Sequence, residues 1–189
     1  MNDTAQTFIS ESRRYLSGEF LPKIERCLES LSDEEVWWRA NPASNSIGNL
    51  MLHLAGNVGQ WIVGGVGGSA VERVRQQEFD ERRILPRAEL LSRLARTIAE
   101  ADRVLAELTV ESLSERRLIQ GNDVTVLEAV YHVVEHFSMH MGQIILLAKM
   151  RTGKDMSFYE VNDEGVALPR WQSERSDSSS RGDSSSVED

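Results

Sequence analysis

One cysteine, Cys27, is the whole thiol inventory of this 189-residue chain, so it can form neither an intrachain disulfide nor a thiolate metal cluster. A reducing compartment, the cytoplasm, is expected. Basic residues are also short, 21 Lys and Arg against 30 Asp and Glu for a net charge of −9. Binding nucleic acid through its phosphates needs clustered cations that displace counterions, and no such partner is expected. Long apolar runs are missing as well. The best candidate for a membrane span, Ile47 to Val66, is interrupted by Asn49, His53, Asn57 and Gln60. It falls short of the roughly 20 uninterrupted apolar residues that cross a bilayer and reads as a buried helix. The N-terminus lacks the basic-then-apolar pattern of a signal peptide.

Apolar residues nevertheless make up 40% of the chain, which suffices for one ordinary domain core. Between Thr4 and Ser30 they recur at helical spacing (Phe8, Ile9, Tyr15, Leu16, Phe20, Ile24, Cys27, Leu28), and Pro22 predicts a kink or turn there. Ser32-Asp-Glu-Glu35 supplies an N-cap and an acidic first turn for a short helical segment before Asn41-Pro42. A second long helix is predicted from Ser46, with Ile47, Leu50, Met51, Leu54, Val58, Trp61 and Ile62 inward, stopping at Gly64-Gly65. Arg73 to Arg83 reads as a charged loop around Phe79. Pro86 is placed as the first residue of a third helix carrying Leu90, Leu94, Ile98, Ala101 and Leu105. Residues 110–124 read as irregular, with room for a short extended pair. Thr125 and Glu128 match a capping box opening a long fourth helix, which Gly153 ends. The expected fold is all-α, an antiparallel four-helix bundle over residues 1–172. Of the 17 residues from Ser173 to Asp189, eight are serine and one is aliphatic, so this tail is expected to be disordered.

The strongest chemical signal is a ladder of three histidines, His132, His136 and His140, inside the apolar fourth helix; the one other histidine, His53, lies mid-way along the second. Residues four apart stack on one helix face, and a His-x3-His pair can direct two imidazole nitrogens at one ion. His132 and His140 are about 12 Å apart along the axis, too far to share an ion comfortably. Only one adjacent pair can therefore chelate: His136 belongs to either choice, and His53 is the candidate third ligand. Three protein ligands leave coordination positions open, which is the catalytic rather than the structural pattern. Glu135, Asn57 and Gln143 are candidate partners for the ligands' second nitrogens. Trp37, Trp38, Trp61, Phe137, Met139 and Met141 read mainly as core.

The run His136-Phe-Ser-Met-His140-Met-Gly-Gln-Ile144, together with Asn49-Leu-Met-Leu-His53-Leu upstream, resembles the DinB-like metal-binding four-helix bundles. That family includes bacillithiol- and mycothiol-dependent transferases. The resemblance spans residues 5–160 in architecture, although about a dozen positions carry the motif. It implies that His53, His136 and His140 are the metal ligands and that His132 is an extra residue one turn earlier. A divalent ion (zinc, nickel or iron) and a homodimer are also implied. The end of the fourth helix, with Phe158-Tyr159 after it, is similar to the uncharacterised branch of the family. The expected function is divalent-metal binding at a three-histidine site, with a metal-dependent thiol S-transferase using a low-molecular-weight thiol as the first enzymatic reading; whether the protein is an enzyme is left open by the sequence. A metal-dependent hydrolase and a non-enzymatic metal-binding or stress-response protein are the alternatives.

Overall fold

Four long helices form the core of the computed structural model, which describes residues 2–172. The expected disordered tail, 173–189, lies outside the described residues. The first long helix is continuous: α1 (Asn2–Arg13) passes through a π-helical stretch (Arg14–Phe20) into α2 (Leu21–Glu29). Pro22 does not break it. A proline cannot donate to the carbonyl one turn back, and the indole N–H of Trp171 donates to the Gly18 carbonyl instead, at 3.2 Å. Ser32 caps the four-residue α3 (Asp33–Val36) in a reciprocal box with Glu35.

The second long helix starts as expected at Ser46, where Ser46 and Asn49 cap each other, and comprises α4 (Ile47–Val58) and a π-helical continuation, Gly59–Val66. It therefore runs through Gly64-Gly65 rather than stopping there. These glycines serve close packing: a Cβ at Gly65 would overlap the Ile119 side chain, and one at Gly67 would stand 2.7 Å from Val104. The third helix, α6 (Arg87–Ala106), has Pro86 as its N-cap, one residue earlier than its sequence placement. The Thr125–Glu128 box opens the fourth, α7 (Val126–Thr152), and Gly153 closes it in the left-handed conformation, φ 65°. Residues 116–125 form an antiparallel hairpin, β1 (Arg116–Ile119) with β2 (Asn122–Thr125), turning on Gln120 and Gly121 at φ 52° and 79°. A second small hairpin, β3 (Tyr159–Val161) with β4 (Ala167–Pro169), follows α7.

Side-chain contacts fix the directions of the helices. Arg13 pairs with Asp102 at 2.7 Å, and Arg87 donates to the Leu28 carbonyl at 2.8 Å, so the first and third helices are antiparallel. His53 meets His136 and Trp61 meets His132, so the second and fourth are antiparallel too. Gly59 faces Thr97 and Gly67 faces Val104, which makes the second and third parallel. A connection between parallel neighbours must return along the bundle. That return segment contains a short helix, α5 (Arg75–Asp80), packed on α4, where the sequence suggested only a loop.

The apolar positions anticipated for each helix, among them Ile24, Leu54, Ile62, Leu94, Leu105 and Phe137, fill the interior. Phe20 and Phe137 stack at 5.5 Å between the first and fourth helices. Burying such a ring contributes about 1.5–3 kcal/mol. Among the described residues, no helix is long and apolar enough to cross a membrane.

Candidate metal centre

His53 sits mid-way along α4, one turn after Asn49 and on the same face. Asn49 is fully buried and works in two directions. Its side-chain oxygen completes the helix cap, and its amide donates to the Glu78 carbonyl at 2.8 Å and the Glu81 carbonyl at 3.2 Å. The backbone of α5 is thereby pinned against α4, which places the Glu78 carboxylate beside His53. Gly56 makes the approach possible, because a Cβ there would overlap Glu78 Oε1 and stand 2.7 Å from Arg73 Nε.

His53 Nδ1 lies 2.8 Å from Glu78 Oε2. A carboxylate can only accept, so Nδ1 carries the proton and Nε2 presents its lone pair. The two Glu78 oxygens also take a forked pair of bonds from Arg73, Nε to Oε1 at 2.6 Å and Nη2 to Oε2 at 2.8 Å. Arg73 donates in turn to Gln60 at 2.9 Å, and Gln120 at the tip of the β1–β2 hairpin donates to the same Gln60 oxygen. A continuous polar chain thus runs from the hairpin tip to the His53 ring.

Across from α4, α7 delivers His136 and His140. His53 Nε2 and His136 Nε2 are 2.8 Å apart, and the His140 ring centre is 5.0 Å from that of His53 and 4.5 Å from that of His136. His140 Nδ1 is 2.8 Å from Gln143 Oε1, to which it donates, leaving Nε2 as its lone-pair atom. One ring nitrogen from each of the three lies within 4.8 Å of the others. An ion about 2.0–2.1 Å from each of two imidazoles holds their nitrogens roughly 3 Å apart. The donor set could therefore hold a metal ion with little adjustment.

Electrostatics favour the neutral form of the three α7 histidines. The His136 pKa is pushed down to about 3, by burial first and then by His140, His53, His132 and Arg73. Burial likewise lowers His140 against the opposing Gln143 hydrogen bond, and it lowers His132. All three are neutral imidazoles near neutral pH, the form that ligates. Burial pushes the Glu78 carboxyl up, but hydrogen bonds from Arg73 and His53 outweigh it and hold its pKa below the usual value. Glu78 is thus an anion behind His53 that holds the ring in its orientation.

The structure brings together His53, His136 and His140, the trio implied by the resemblance. His132 stands one turn away, with its ring 4.2 Å from that of Trp61 and its Nε2 3.5 Å from Asn57 Nδ2. Of the anticipated partners, Gln143 contacts His140. Asn57 faces His132 instead, and Glu135 is exposed. Glu78 and Arg73 went unnoticed in the sequence. Nothing in Arg-Gln-Gln-Glu-Phe-Asp-Glu marks Glu78 over Asp80 or Glu81; the one available signal was that His53 requires an acceptor for its second nitrogen. Cys27 is fully buried, and burial pushes its pKa up to about 12, so it cannot serve as a nucleophile.

His53 and His136 border a cavity of 530 Å³ lined also by Asn57, Trp61, Arg73, Arg75, Gln120, Asn122, Val124, Glu128 and His132.

Residues 3–164 match the model of a family described as a protein of unknown function, DUF1572. The chain belongs to this family. No curated protein matches it. Among solved structures, a conserved protein from Enterococcus faecalis is similar with a TM-score of 0.62 and 18% identity, over 77% of this chain and 97% of that one. A DinB-like protein from Bacillus cereus is similar with a TM-score of 0.60 and 16% identity, over 75% of this chain and 89% of that one. The fold of this DUF1572 member is thus DinB-like.

Proposed function

We propose that His53, His136 and His140 bind one divalent metal ion and that the protein is a metal-dependent thiol S-transferase acting on a low-molecular-weight thiol. The observation that supports this most is the convergence of three imidazoles, two of which line a cavity. Two of these rings are held in orientation by Glu78 and Gln143. A bound ion supplies Lewis acidity that lowers the pKa of a coordinated thiol or water. The chain's own residues do the rest. Glu78 and Gln143 prevent ring rotation of His53 and His140. Trp61 and Val124 give the cavity an apolar wall for an electrophile. His132, neutral and on the same cavity wall, accepts at Nε2 the proton that an incoming thiol releases. Tyr131, Met139, Leu146 and Met150 stand exposed along α7, a surface that supports the expected homodimer.

The test loads the protein with cobalt, follows its visible spectrum on adding a small thiol, and then measures conjugation of that thiol to an electrophile with and without chelator. The proposal expects a thiol-dependent spectral change and a chelator-sensitive rate that His136→Ala abolishes. A spectrum that responds while no conjugation occurs, or chelator-sensitive hydrolysis without conjugation, would replace the transferase with a binding protein or a hydrolase.

A further inference from the structure

The cavity beside the three histidines carries two guanidinium groups, and they are not equivalent. Arg73 is buried and fully engaged, with two bonds to Glu78 and one to Gln60. Arg75, two residues on, is exposed; among the described residues it faces no carboxylate, and its one close partner is the Phe79 ring, 4.9 Å from the guanidinium carbon. Phe79 in turn packs on the His53 ring at 4.7 Å. A stack of guanidinium, phenyl and imidazole therefore fixes Arg75 at the rim of the cavity, next to one ligand. Its charge also reaches a second ligand, contributing to the lowered pKa of His140. The one acid in the lining, Glu128, uses an oxygen on the backbone and hydroxyl of Thr125 in the α7 cap, and no bond links it to Arg75.

A guanidinium held by an aromatic face, with its N–H edge unspent, is suited to a planar oxyanion, because it can offer two parallel bonds to one carboxylate. Gln120 and Asn122 add amide groups on the hairpin side of the same cavity. We infer that the cavity selects thiols that bear a carboxylate, with the sulfur at the histidine cluster and the carboxylate on Arg75. This deepens, and rests on, the thiol-transferase reading. The size agrees, since 530 Å³ holds a small organic ligand with its polar groups at both ends.

Cobalt-loaded protein titrated with 3-mercaptopropionate and with 2-mercaptoethanol, read by the visible spectrum and by calorimetry, tests the inference. The two probes differ in one end group, a carboxylate against a hydroxyl. The expected result is binding of mercaptopropionate about tenfold tighter, a moderate figure because the salt link is partly exposed. In Arg75→Gln the preference should vanish, while metal content and mercaptoethanol binding stay at the wild-type level. Equal affinity of wild type for both thiols, or a preference that survives in Arg75→Gln, overturns the assignment of Arg75 and leaves the thiol reading standing. If neither thiol perturbs the spectrum, both readings are overturned.

Discussion

Replacing Glu78 with glutamine separates its two duties, because it is at once the acceptor for His53 and the counter-ion of Arg73. Both partners are buried, with side-chain exposures of 9% for Glu78 and 4% for Arg73. The carboxylate receives three bonds, one from the imidazole and two from the guanidinium. Glutamine offers a single acceptor oxygen. Its amide N–H2 must then face either the Arg73 Nε–H or the donors at Oε2, so at least one donor is left unpaired next to an uncompensated guanidinium. Truncating a buried pair costs about 3–5 kcal/mol, and glutamine, which keeps one acceptor, should fall near the low end, about 3 kcal/mol by urea unfolding. Loss of such an outer partner lowers metal affinity about 10–100-fold, readable by competition with a chromogenic chelator. Glu78→Ala should be worse in both respects. If Glu78→Gln loses stability but binds metal as tightly as wild type, then Glu78 merely neutralises Arg73 and does not orient His53.

Three other perturbations follow from the same geometry. Gly56→Ala should leave the helical signature intact but weaken metal binding about as much as Glu78→Gln, since the new methyl displaces Glu78 and Arg73; unchanged affinity would show that α5 relaxes without moving the carboxylate. In metal-free protein, His136 titrates near 3 when folded and near 6.5 when unfolded. The unfolded chain then binds more protons between those values, and the melting temperature should fall steadily as pH drops below about 6.5; a flat profile down to pH 4 would contradict the buried neutral histidine. Cys27, buried with a pKa pushed up to about 12, should resist iodoacetamide at pH 8 until denaturant is added, and rapid labelling of native protein would show that the first helix opens.

Much of this architecture could be read from residue periodicity, since burial of one helix face imposes a local repeat. Ser46 and the Thr125–Glu128 box marked helix starts because caps act within a single turn. The ladder of His132, His136 and His140 was likewise visible, although spacing alone left two chelating pairs open, and the resemblance to DinB-like proteins pointed to His136 with His140. What escaped depends on distant parts of the chain. Pro22 looked disruptive because the Trp171 donor comes from the far end of the described chain, and Gly64-Gly65 looked like a terminus because their close neighbours Ile119 and Val71 belong to other segments. Glu78 was hidden for the same reason. Only the parallel run of the second and third helices sends the connecting segment back past His53, and no local pattern reports helix direction.

Metal content per chain in wild type and in single alanine variants of the four histidines, measured by inductively coupled plasma mass spectrometry after purification without chelator, tests the central claim most directly. Wild type should carry about one divalent ion per chain, with near-complete loss in His53→Ala, His136→Ala and His140→Ala, and retention in His132→Ala. Loss in His132→Ala with retention in His140→Ala, or no bound ion in wild type with any divalent metal supplied, would contradict that claim.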